Sequence, residues 1–179
     1  MVQQSPKTYI TDEMRAQLGV ERERRVSPLV ERGEIRRWAI AVYWPERPPR
    51  IYWDEEYART TRWGGVIAPP DFNPFTWPVD EEGFNAKIQN WLGQTRGGGQ
   101  AQAHQPSQPG TRVLNGGSRV EYHNPIRPGD VITAVSKLVD LQEREGGRTG
   151  LMLFSYTETR WTNQKGELVK VTVGTGIRY

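Results

Sequence analysis

Cysteine is absent from this 179-residue chain, and histidine occurs only twice, as His104 and His123. The first absence excludes disulfides, a thiolate nucleophile and any cysteine-based metal site, and no metal centre is expected. Apolar residues amount to 35% and never run for 18 positions, so no segment reads as a membrane-crossing helix. Met1 to Pro6 are polar and lack the apolar core of a signal peptide. Together with the missing cysteine, this predicts a cytoplasmic protein. Net charge is small too: 24 basic against 21 acidic residues leave +3, which is not the footprint of a nucleic-acid binder.

Such positive charge as there is falls early. Arg22, Arg24, Arg25, Arg32, Arg36, Arg37, Arg47 and Arg50 lie in the first third, interleaved with Glu21, Glu23, Glu31 and Glu34. Mixed signs suit a solvated helix face. The same arginines would also form a basic rim attractive to a phosphorylated ligand such as coenzyme A.

Strand signals dominate residues 112–179. Val169, Val171, Val173, Thr175 and Ile177 alternate with Lys170, Thr172, Gly174, Gly176 and Arg178, the period of a half-buried strand. Turns are supplied by Pro128-Gly129-Asp130, by Glu145-Gly146-Gly147-Arg148 and by Asn163-Gln164-Lys165-Gly166. The spacing predicts a meander of four strands, and helical signals upstream predict an antiparallel sheet with helices on one face.

Upstream, Thr11 caps a short helix with Asp12 and Glu13 in its first turn and Gly19 at its close. Arg25 to Leu29 is the expected first strand, at an edge because of Pro28. From Glu31 onward Ile35, Trp38, Ala39 and Val42 share one helical face, and the helix must stop before Pro45. Asp54 caps a third, short helix through Arg59, ended by Gly64-Gly65. Residues 71–110 read as an insertion. Phe72, Phe75 and Trp77 in it should be packed, Gly83 to Leu92 is a helical turn or two, and Gly97 to Pro109 is a loop.

Four strings, in order and at matching spacing, resemble the N-terminal-type hot-dog domain of the MaoC-like dehydratase family. They are Val30-Glu31-Arg32-Gly33-Glu34-Ile35-Arg36-Arg37-Trp38-Ala39, Tyr52-Trp53-Asp54-Glu55-Glu56-Tyr57-Ala58, Trp63-Gly64-Gly65-Val66-Ile67-Ala68-Pro69-Pro70, and Glu121-Tyr122-His123-Asn124-Pro125-Ile126-Arg127-Pro128-Gly129-Asp130. The family contains the (R)-specific enoyl-CoA hydratases and fatty-acid-synthase dehydratases. The resemblance implies an α+β chain: a single hot-dog fold over residues 1–179, its antiparallel sheet wrapped around a central helix or helical segment, with 71–110 as a long irregular insertion. It also implies reversible addition of water at the 2,3-double bond of an acyl thioester, with no cofactor beyond the coenzyme A carried by the substrate. Lipid or steroid metabolism is the implied setting.

The chain departs from that family at both catalytic positions. Active members carry Asp and His in a D-x-N-P-x-H loop; here Tyr52 falls at the His position, and Glu46 is the only carboxylate in the loop. A phenol of ordinary pKa near 10 is a poor base at neutral pH. Active members also present a glycine N–H to the thioester carbonyl, where this chain has Pro69-Pro70, and proline has no N–H. Asp71-Phe72-Asn73-Pro74-Phe75-Thr76 spells a near copy of the loop at the wrong place and is read as a coincidental turn.

The remaining acid and base candidates are Tyr52, Glu46, Asp71 and His123, the last either a surface strand residue or the partner of Glu121. His104 is expected to be exposed in the loop, and Tyr122 and Trp161 to be core or interface aromatics. Substrate contacts are expected from Gly64, Gly65, Val66, Ala68, Pro69, Pro70 and Phe72, and from Asn115-Gly116-Gly117 if that string is more than a bulge. The implied role is the substrate-shaping half of a hydratase paired with a catalytic hot-dog subunit through open sheet edges. The alternatives are a homodimer active through non-standard groups and a non-catalytic acyl-CoA-binding protein. No nucleic-acid or membrane partner is expected.

Overall fold

The computed structural model describes residues 8–75, 84–85, 88–89, 92, 112–148 and 150–179. Helix α1 (Asp12–Ala16) starts where the sequence places it, the Thr11 hydroxyl accepting the Met14 N–H at 3.2 Å. It ends at Ala16, ahead of Gly19, whose positive φ turns the chain into β1 (Glu21–Val26). That strand lies several residues earlier than expected. Ser27-Pro28 ends it instead of continuing it, since proline cannot donate to a ladder.

Helix α2 (Arg32–Tyr43) opens on a capping box, Glu31 and Glu34 each accepting the other's backbone N–H. Ile35 and Ala39 are buried and Trp38 is half-buried, but Val42 is exposed, so the inward face is narrower than its periodicity predicts. A single 3-10 turn (Arg50–Tyr52) leads to α3 (Glu55–Arg59), capped by the Asp54 carboxylate on the Tyr57 N–H at 3.0 Å. That helix stops at Arg59 with Thr60 as its C-cap, well before Gly64. Residues 84–85, 88–89 and 92 are helical, in keeping with the expected turns. Trp77, the Gly97 to Pro109 loop and His104 lie outside the described residues.

The four expected strands are present: β2 (Val113–Tyr122), β3 (Thr133–Gly146), β4 (Gly150–Thr162) and β5 (Leu168–Arg178). They form with β1 a five-stranded antiparallel sheet ordered β1-β3-β4-β5-β2. Only β3, β4 and β5 make the expected meander; β2 crosses to the far edge beside β5. The connection between β2 and β3 carries Pro125, Pro128 and Gly129, with φ at +89°, and cannot close a tight hairpin. It is tied down at buried positions: Asp130 accepts the Arg127 N–H at 2.7 Å, and the Ser27 hydroxyl accepts the Ile132 N–H at 2.8 Å.

Strand pairing sets the two faces of the sheet. Arg25, Ala134, Trp161, Lys170 and Tyr122 stand opposite one another in one row. The core gathers on this row, where Ala134 and Trp161 meet Ile35, Ala58, Val66, Phe72, Ile126 and Ile132. Lys170 is therefore on the covered face, while Val173, Thr175 and Ile177 stand half-exposed on the other. The valine alternation of β5 is thus real, but from Val171 onward it points away from the core row. The pairing of Trp161 with Lys170 decides the face, because period-2 register allows no compromise.

Asn163 holds the turn between β4 and β5. Its carboxamide accepts the Lys165 and Glu167 N–H groups at 3.0 Å each and donates to the Glu167 carboxylate at 2.7 Å. Asn163→Ala is expected to lower unfolding stability by about 2 kcal/mol in urea titrations, since two backbone N–H groups of the turn lose their acceptor and the Glu167 carboxylate a donor. A loss below about 0.5 kcal/mol would show that water replaces the amide freely.

Candidate functional site

Tyr52 sits at the end of the 3-10 turn and packs against the core with Ile51 and Trp38. The Ile51 carbonyl accepts the Ile67 N–H at 3.4 Å, lashing this turn to the segment that leads into Pro69-Pro70. Val66, Ile67 and Ala68 are buried, and the Ala68 N–H donates to Ile126 at 2.8 Å. Two expected components therefore lie side by side: the loop that carries the acid–base pair in active relatives and the stretch that supplies the carbonyl donor. Gly64 takes a positive φ of 66° at the start of that stretch, and Gly65 follows it.

Neither component is equipped for proton transfer. Burial first, and then the hydrogen-bonded Tyr43 beside it, push the Tyr52 hydroxyl up to about 12. The Tyr43 and Tyr52 rings lie 5.9 Å apart. Glu46 is exposed, held by its backbone N–H to Tyr43 at 2.7 Å, and its carboxylate has no partner among the described residues. After Pro69-Pro70 the chain turns through Phe72 N–H to Pro69 carbonyl at 2.9 Å. The Asp71 N–H has no acceptor among the described residues and is the first donor beyond the prolines.

His123 and Glu121 do not form the pair weighed from the sequence. Glu121 accepts from Arg119 at 2.5 Å, and His123 lies past the end of β2, its backbone N–H spent on Val169 at 2.9 Å. Glu121, on the edge strand, and His123, just beyond its end, are both exposed. Asn115-Gly116-Gly117 is a bulge: register shifts between Asn115 and Ser118, Gly117 has φ at +92°, and the Asn115 side chain accepts its N–H at 2.9 Å. A Cβ on Gly116 would lie 2.8 Å from the Thr175 methyl, so glycine here serves strand packing.

Asp71 belongs to a cluster that the sequence did not reveal. The Tyr122 hydroxyl donates to its carboxylate at 2.6 Å, which raises the Tyr122 pKa. Lys170, only 8% exposed, holds its ammonium 3.9 Å from the Trp161 ring centroid. Phe75 packs edge-on against Trp161 at 4.8 Å, so residues 71–75 lie across the covered row of the sheet. The sign of Lys170 in the alternation was its only signal: a cation opposite a tryptophan on the inner face.

Burial lowers the Lys170 pKa, and the nearby Asp71 charge partly opposes that. Below its ordinary value of 10.5 the unfolded chain therefore binds more protons than the folded one, and stability rises with pH across that window. Lys170→Met is expected to raise stability at pH 7 by about 1 kcal/mol and to flatten the alkaline rise. Thermal melts at neutral and alkaline pH check both. An unchanged alkaline rise in the variant would exclude Lys170 as its source.

A profile of the family described as "FAS1-like, dehydratase domain region" matches residues 16–172. No curated protein matches the chain. Among solved structures it resembles the MaoC-like dehydratase from Rhodospirillum rubrum, at 19% identity over 92% of this chain and 94% of that one, with a TM-score of 0.53. It also resembles the ChsH1-ChsH2 complex from Mycobacterium tuberculosis, at 18% identity over 89% and 84%, with a TM-score of 0.61. The unliganded R-hydratase PhaJ1 from Pseudomonas aeruginosa aligns at 17% identity over 90% and 82%, with a TM-score of 0.50. At such identities the likeness is one of fold, and that fold is the α+β hot-dog expected from the sequence.

Proposed function

Since the chain belongs to the FAS1-like dehydratase-region family of MaoC-like hot-dog proteins, we propose that it is one half of an acyl-thioester hydratase or dehydratase, the half that shapes the substrate site. The reading treats residues 1–179 as a single hot-dog unit acting on coenzyme A thioesters in the cytoplasm, without a further cofactor. One observation carries it: Tyr52, with its hydroxyl pushed up to about 12, lies in the turn bonded to the segment ending in Pro69-Pro70. Water activation needs a base poised near the working pH, and carbonyl polarisation needs a donor. Both would come from a second hot-dog chain carrying the Asp and His pair and a glycine at the start of its central helix.

The edges of the sheet, β1 and β2, offer unpaired backbone groups to such a partner. Gly64, Gly65, Val66, Ala68, Pro69, Pro70 and Phe72 would line the shared acyl site. The basic residues Arg36 and Arg47, which border a cleft of about 190 Å³ with Trp53, would meet the phosphates of coenzyme A. Crotonyl-CoA hydration, followed as loss of the enoyl-thioester absorbance, tests the proposal. Turnover should require addition of a second hot-dog chain, while isothermal titration shows the thioester binding to this chain alone. Binding without turnover in either arm would mark a carrier of acyl-CoA and end the hydratase reading.

The Asp71–Tyr122 hydrogen bond favours one competing reading, a self-sufficient homodimer in which Asp71 is the base. In that case the chain alone turns over crotonyl-CoA and Asp71→Asn abolishes the rate.

A further inference from the structure

Strand β2 closes one side of the sheet, and among the described residues no strand pairs with its outer edge. It is exposed along its length apart from Val120, which is half-buried. An edge of this kind invites pairing with another chain. Its regular part is short and bounded on both sides. The register shift between Asn115 and Ser118 ends it at one side and the close of the strand at the other, leaving Ser118-Arg119-Val120-Glu121-Tyr122.

Which backbone groups face outward follows from the existing ladder. Along an antiparallel pair, residues alternate between those that bond the neighbouring strand and those that bond away from it. The His123 N–H donates to the Val169 carbonyl at 2.9 Å, one step beyond the Tyr122–Lys170 pair, so Glu121 and Arg119 bond toward β5. Ser118, Val120 and Tyr122 therefore turn their N–H and C=O groups to the open edge. Side chains sort by the same period. Val120 has the parity of Tyr122, on the covered row, whereas Arg119 and Glu121 stand on the other face, their side chains paired at 2.5 Å.

This stretch reads the same in charge when turned end over end about Val120. A second copy so placed sets Arg119 opposite Glu121, Glu121 opposite Arg119, Tyr122 opposite Ser118 and Val120 opposite itself. The charged pairs then fall at the non-hydrogen-bonded positions of the new ladder, where side chains stand closest. A slip of two residues either way keeps the outward amides in phase but sets Arg119 against Arg119 or Glu121 against Glu121.

We propose that β2 binds a second copy of this chain, antiparallel about a two-fold axis at Val120, through about six backbone hydrogen bonds and reciprocal Arg119–Glu121 pairs. The Tyr122 ring, 50% exposed and held through its hydroxyl by Asp71, gains cover against Ser118 of the partner subunit. A second copy on β2 leaves β1 as the edge open to a catalytic chain, and the pairing does not depend on the hydratase reading.

Sedimentation equilibrium of the full chain and of charge-reversed variants tests the proposal. A ladder this short is a small interface, so wild type is examined at about 100 μM, where its mass should approach twice the 20.5 kDa of one chain. Arg119→Glu and Glu121→Arg each bring like charges together at both pairs and should each weaken association about tenfold or more. Mixed with one another, the two variants should associate within about twofold of wild type, since every facing pair is then of opposite sign. The two side chains are 79% and 51% exposed, so neither change disturbs the core. A monomeric wild type overturns the proposal. Association undiminished in both variants does so too, because the contact then lies elsewhere. Loss in each variant alone without recovery on mixing refutes the two-fold at Val120.

Discussion

Given crotonyl-CoA at neutral pH, the purified chain is expected to hydrate it no faster than buffer does. With the Tyr52 hydroxyl pushed up to about 12, only about one molecule in 10⁵ carries the phenolate at pH 7. General acid–base catalysis contributes roughly 10²–10⁴-fold in enzymes that have it, and one oxyanion donor roughly 10²–10³-fold. Pro69 and Pro70 can give no N–H, so neither factor is available at the family's positions. Tyr52→Phe should consequently leave the rate of a reconstituted pair within about twofold of wild type. Loss of the partner's histidine should lower the same rate about a thousandfold. The assay is a progress curve of the enoyl absorbance with each chain alone and with both. Turnover by this chain alone that falls with Tyr52→Phe would show a phenol working as a base and end the account of an inert half.

The chain made some of this legible and hid the rest for physical reasons. Caps and turns could be read because their chemistry is local. Thr11, Asp54 and Asn163 each bond a backbone N–H a few residues away, and all three are found doing so. The catalytic losses were legible for a similar reason, since a missing N–H or a misplaced phenol is a property of single residues. Strand order was not, because β2 leaves Pro125 and Pro128 behind and pairs with β5 at long range. Alternation gives two faces but not which one is covered, and the decision rests with Trp161 on another strand. Asp71, Tyr122 and Lys170 come from three separate stretches, so no local string could announce them. The Trp38 indole N–H, buried without a partner among the described residues, is likewise invisible in sequence, since being unpaired is a fact about neighbours.

Ile35→Ala should be among the most damaging single substitutions to the fold, costing about 3 kcal/mol, while Val42→Ala should cost under about 0.5 kcal/mol. The helical period of α2 puts the two residues on one face, seven positions apart, and sequence alone would treat them alike. Their surroundings differ. Ile35 is fully buried, in one cluster with Val30, Ala58, Val66 and Phe72, whereas Val42 is 55% exposed beyond the reach of that cluster. Removing the Ile35 side-chain carbons forfeits their burial and leaves a hole that the capping box and the 3-10 turn on either side cannot close. For a chain of this size that loss corresponds to a melting point lower by roughly 6–12 °C. Because Ile35 lies one turn from Trp38 on the same helix, the variant should also loosen the edge-on contact of Trp38 with Phe72. Paired thermal melts of the two variants check the ranking. Equal shifts, or a larger one for Val42→Ala, would mean that α2 meets the core by a different face, and the packing of Trp38 against Phe72 would then be misplaced as well.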